Sequence, residues 1–86
     1  MARKHENTRA AVFSKPTKAD IRWADIEHLF KQLGAVIEER QGSRVLVKWR
    51  ERSFVFHRPH PSKVTKKYVI ERVREILRQH GEAPDE

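Results

Sequence analysis

The sequence contains no cysteine. That excludes a disulfide framework and any thiolate metal site, and it fits a reducing compartment. No apolar run is long enough to span a membrane, and the first residues lack the apolar core of a signal peptide. The expected location is the cytoplasm, with no membrane partner. No internal repeat or low-complexity tract interrupts the chain, so its 86 residues are expected to fold around one core. A chain of this size buries only about 60–65% of its extended surface, which leaves no room for a deep internal site. Any site is expected on an open face.

Acids are scarce where bases are dense. Residues 41–80 carry eleven Lys/Arg against three Asp/Glu, net +8, within a whole-chain net charge of +7. Residues 1–40 are near balance at net +2, and residues 81–86 carry three acids. Charge clustered in this way favours a polyanion, because phosphate contacts release condensed counterions.

The hydrophobic period changes twice along the chain. Residues 1–7 are polar, and Thr8 to Lys15 can form two helical turns before Pro16 stops them. This arm, residues 1–19, is set apart from a folded unit at 20–81 and an acidic tail at 82–86. Ile26, Leu29, Phe30 and Leu33 recur at three- and four-residue steps, which predicts a helix over Trp23–Leu33, with Asp20 or a residue nearer Trp23 at its start. Gly34 is placed to end it.

Alternation replaces the helical period from Ala35 onward. Ala35 to Arg40, Arg44 to Trp49 and Ser53 to His57 read as three strands joined by short turns, so an antiparallel meander is expected. Val45, Val47, Trp49, Phe54 and Phe56 are expected on the core face. Arg44, Leu46, Lys48, Val55 and His57 fall on the other, open face. Thr65 is the expected cap of a last helix over Lys66–His80, with Val69, Val73, Ile76 and Leu77 as its buried stripe and Tyr68 and Ile70 at its margins. The fold class is α+β: an α-β-β-β-α sandwich like that of a double-stranded-RNA-binding domain. Its three-stranded antiparallel sheet carries helices on one face, with an extra N-terminal helical arm.

Two short stretches carry the chemistry. Gln41-Gly42-Ser43-Arg44-Val45 turns the chain into the second strand, and Phe56-His57-Arg58-Pro59-His60-Pro61 closes the third. His57 and His60 can exchange protons near neutral pH. Arg44, Lys48 and Arg58 can hold phosphate, and a guanidinium can also stabilise developing negative charge. Ser43 can bond locally or touch RNA. Lys63, Lys66 and Lys67 flank the start of the last helix, whose positive dipole end favours a phosphate. A metal at His57 and His60 would have only Glu51 and Glu71 as nearby acidic partners, so no metal or cofactor is expected.

From about Asp20 to Gly81 the chain resembles a HicA-type toxin, the RNA-cleaving half of a bacterial type II toxin–antitoxin system. The resemblance is carried by Leu33-Gly34, by Gly42-Ser43 opening a strand, by Arg58-Pro59-His60, and by the final Ile76-Leu77-Arg78-Gln79-His80-Gly81. It implies the same sandwich fold and metal-free cleavage of mRNA. It also implies a histidine in the His60 loop and a HicB-like antitoxin as cognate partner. The family usually places its catalytic histidine directly after the Gly-Ser pair, and this chain has Arg44 there. Arginine stays protonated and cannot act as a general base. Either His57 or His60 moves the protons, or the protein is a non-catalytic module that binds mRNA or other single-stranded or structured RNA. A third reading is a protein-interaction subunit whose basic face docks an acidic partner.

Overall fold

The structure, a computed structural model, describes residues 4–59 and 62–83. The described residues form α1 (Lys4–Val12), α2 (Trp23–Gln32), β1 (Val36–Glu39), β2 (Arg44–Trp49), β3 (Arg52–His57) and α3 (Lys67–Gln79). The strands make one antiparallel sheet in the order β1-β2-β3. The expected α-β-β-β-α order is present, with α1 placed before it.

Alternation sorts the sheet into two faces. Val45, Val47, Trp49 and Phe56 are buried against Ile26, Leu29 and Phe30 of α2 and Ile70, Val73, Ile76 and Leu77 of α3. The rings interlock: Phe30 meets Trp49 edge-on at 5.8 Å, and Trp23 and Phe56 lie 5.6 Å apart. Arg44, Lys48, Val55 and His57 stay exposed on the opposite face, with Leu46 half-buried among them.

Two local expectations need correction. Val69 is only half-buried, and Ile70 takes the inner position instead, because Ile70, Val73 and Leu77 share one face at steps of three and four. Phe54, half-buried, packs against the core on the expected face. Thr65 does not cap α3. The cap residue is Lys66, with no side-chain bond to the helix, and Thr65 is buried.

Both α2 and α3 close with the same device. Gly34 and Gly81 sit at φ 97° and 75°, a left-handed conformation that costs glycine little. The next amides then reach back: Ala35 N to Phe30 O at 2.9 Å, and Glu82 N to Leu77 O at 2.8 Å. This turn aims β1 back under α2.

The arm is more structured than its polarity suggests. α1 starts at Lys4 rather than near Thr8, Val12 is fully buried, and Ala11 and Phe13 pack against the core. Arg74 of α3 holds its end by donating to Val12 O (2.9 Å), Ser14 O (3.2 Å) and Thr17 Oγ1 (2.9 Å). Glu82, expected in a loose tail, is half-buried and pairs with Arg9 at 3.1 Å and Arg50 at 2.6 Å.

Candidate functional site

The site follows from how β3 hands over to α3. Phe56 is anchored in the core, so His57 must point to the open face, and the chain then leaves the sheet at Arg58. Arg58 N donates to Ser43 O at 2.7 Å, which keeps the start of β2 beside the end of β3. Further on, Thr65 N donates to Ile21 O (2.7 Å) and Trp23 N donates to Lys63 O (3.0 Å), around a bridge between Arg22 and Val64. This strap fixes where α3 begins.

Ser43, His57, Arg58, Pro59, Ser62, Thr65, Lys66, Lys67 and Tyr68 line a cavity of about 420 Å³ between the end of the sheet and the first turn of α3, together with Ala19, Val64 and Val69. Its volume lies within the range of small-molecule sites, about 300–1,000 Å³. Arg44 is the register partner of His57 across β2 and β3. Arg44, Lys63, Lys66 and Lys67 are exposed, and none has an ion-pair partner among the described residues.

The other two cations of interest are engaged. Arg58 pairs with Glu39 at 2.7 Å and with Glu27 at 3.2 Å. The hydrogen bond to Glu39 raises its pKa, and Glu27 adds to that effect. Glu27 is itself held by the Trp23 indole at 2.6 Å. Arg58 thus ties the exit of β3 to α2 and β1. Lys48 pairs with Glu38 at 2.8 Å. It lies four residues along β2 from Arg44, roughly 13 Å away, and it does not line the cavity. His60, the other histidine singled out in the sequence, lies outside the described residues.

Tyr68 and Thr65 line the cavity although their sequence pattern points to other roles. The helical period puts Tyr68 at the margin of a buried stripe, yet it is 67% exposed. Its position, two residues from Ile70, puts it about 200° around the helix from the core, and that spacing was the available signal. Thr65 fits a cap by its local pattern. Its Oγ1 is instead buried with no hydrogen-bond partner.

Among the described residues, no helix is long and apolar enough to cross a membrane. No curated protein and no solved structure matches the chain. A family model described as the HicA toxin of bacterial toxin–antitoxin matches residues 23–82, from the first residue of α2 to the glutamate that follows the closing turn of α3. With that match spanning well over half of its length, the chain belongs to the HicA toxin family and is the toxin of a toxin–antitoxin pair.

Proposed function

We propose that this toxin binds RNA on the basic face around Arg44 and α3 and cleaves it there without a metal ion. The supporting observation is the direct opposition of Arg44 to His57, which lines a cavity that also carries Lys66 and Lys67. His57 and His60 share the two proton transfers. One takes the proton of a ribose 2′-hydroxyl, whose oxygen attacks the adjacent phosphorus. The other gives a proton to the departing 5′-oxygen as the P–O5′ bond breaks. The Arg44 guanidinium stabilises the charge that develops on the phosphorane oxygens. The products are a 2′,3′-cyclic phosphate and a 5′-hydroxyl end.

Affinity comes from phosphate contacts. Arg44, Lys63, Lys66 and Lys67 are the cations of the interface without an ion-pair partner among the described residues. Four such contacts give a slope of log K against log salt near −2.8 for single-stranded RNA. Lys48 and Arg58 contribute only where RNA displaces their carboxylates. The cognate antitoxin silences the toxin in the cytoplasm, where mRNA is met.

Induced expression in bacteria tests this reading, with growth and transcript integrity followed together. Growth arrest with transcript breakage supports it, and harmless expression with intact transcripts contradicts it. Arg44 at the position where the family has histidine favours a second reading, a module that binds RNA without cutting it. Salt-dependent RNA binding with no cleavage by the wild type or by Arg44→His selects that reading. Salt-independent behaviour points to a protein-docking subunit instead.

A further inference from the structure

We infer that the cavity between β3 and α3 is a subsite for one unpaired nucleotide, with its base stacked on Tyr68 and its phosphate seated at the start of α3. The assignment rests on the RNA-binding reading and adds where one nucleotide sits and which residue orders it.

Tyr68 stands apart from every other aromatic residue of the chain. Phe13, Trp23, Phe30, Trp49, Phe54 and Phe56 all belong to the core or pack against it. Tyr68 is 67% exposed, more than any other large apolar residue described, and it has no ring partner among the described residues. Nothing in the fold requires an aromatic ring there. One turn further along α3, Arg72 reaches the carbonyl of Val55 and lies over the Phe56 ring. Tyr68 therefore stands beside the last residues of β3, where His57 lines the same cavity. An exposed ring at the rim of a basic cavity offers a face to a base, and such stacking tolerates any sequence because every base has a π-face.

The phosphate position rests on two separate observations. α3 is 13 residues long and starts without a side-chain cap and without an acid in its first turn. The amides of Lys67 and Tyr68 precede the first backbone bonds of the helix, which Val69 and Ile70 make to Lys66 O, and Lys66 and Lys67 add two cations at that end. Beside them, Thr65 is 1% exposed and its Oγ1 has no partner. A buried hydroxyl left unpaired is unusual, because it forfeits the hydrogen bond that it made in water. A small cavity shift on binding gives it a phosphate oxygen as acceptor. A base on Tyr68 and a phosphate at Lys66–Lys67 place the intervening ribose toward His57, where the proposed proton transfer begins.

The test uses the full chain and cleavage-resistant 2′-O-methyl oligonucleotides, with the fluorescent base 2-aminopurine placed at successive positions. The wild type and Tyr68→Trp are expected to quench one position strongly. Tyr68→Ala is expected to lose that quenching and to bind about 5- to 100-fold more weakly, with an unchanged thermal midpoint. Lys66→Ala is expected to weaken binding and flatten the salt slope while the quenching at saturation persists. Tyr68→Ala that binds and quenches like the wild type overturns the subsite and leaves the RNA reading standing. Wild type that binds no oligonucleotide at low salt overturns both. Tyr68→Ala that loses antitoxin but not RNA reassigns the ring to a protein contact and overturns the subsite alone.

Discussion

Arg44 and His57 face each other across the end of the sheet. Ser43 and Arg58, the next pair outward, share a backbone hydrogen bond, so alternation makes Arg44 and His57 a non-hydrogen-bonded pair. In such pairs the Cα atoms lie only about 4.5 Å apart and the side chains are at their closest. Both side chains are exposed and support no core contact. Arg44→Ala should therefore change stability by less than about 0.5 kcal/mol in urea unfolding. The same change should slow RNA cleavage by about 10²-fold, the loss typical of one charge-stabilising donor. Arg44→His, which restores the family's residue, should keep or raise the rate.

The β2–β3 turn is under local strain. Arg50 and Glu51 occupy φ 51° and 64°, and neither is glycine or asparagine, which a two-residue hairpin turn prefers. Arg50 has compensating contacts: it lies over the Trp49 ring at 4.4 Å and donates to His80 O. Glu51 is exposed and has no ion pair among the described residues. Glu51→Gly should stabilise the protein by about 1 kcal/mol, raising the thermal midpoint by roughly 4–8 °C. A lower midpoint would show that the turn is not limiting.

Glu82 joins three elements through Arg9 of α1 and Arg50 of the hairpin. Its partly buried carboxylate makes charge-assisted bonds to both, whereas the Arg78–Glu75 pair within α3 is exposed to solvent screening. Glu82→Ala should cost about 1–2 kcal/mol, whereas Glu75→Ala should cost close to nothing. Urea midpoints for the two variants decide this, and equal losses would remove the clamp from the account.

Much of this arrangement was legible in the sequence, for physical reasons that also explain the misses. Val45, Val47 and Trp49 alternate with Arg44, Leu46 and Lys48, and a period of two admits only one division of faces. The start of α1 is hidden because its residues are mostly polar, and Arg74, the anchor of its end, lies on α3. The ion pairs of Arg58 are equally illegible, because Glu27 and Glu39 come from elements distant in sequence. Thr65 looks like a cap because caps are local patterns, and the strap to Ile21 that buries it is a tertiary contact. Long-range ion pairs and straps leave no local signature, so they set the limit.

Acid should weaken the β1–β2 pairing. The hydrogen bond from Lys48 lowers the pKa of Glu38, with Arg40 assisting. A carboxylate lowered in the folded state contributes stability above its unfolded value, near 4.3, and loses that contribution as pH falls through the folded value. The Glu38 carboxyl should therefore titrate below the ordinary glutamate range by NMR, and Lys48→Ala should move it upward. An unmoved titration in Lys48→Ala would assign the shift elsewhere. Glu38→Gln should also release Lys48 and steepen the salt dependence of RNA binding.

The most direct test of the account is RNA cleavage in the presence of a chelator. Wild-type protein should cut RNA and leave 5′-hydroxyl ends. His57→Ala should bind the same RNA with similar affinity and leave it intact, because the proton transfer at the Arg44 edge is gone. Intact RNA with both the wild type and Arg44→His, under conditions where both bind it, would contradict the cleavage mechanism.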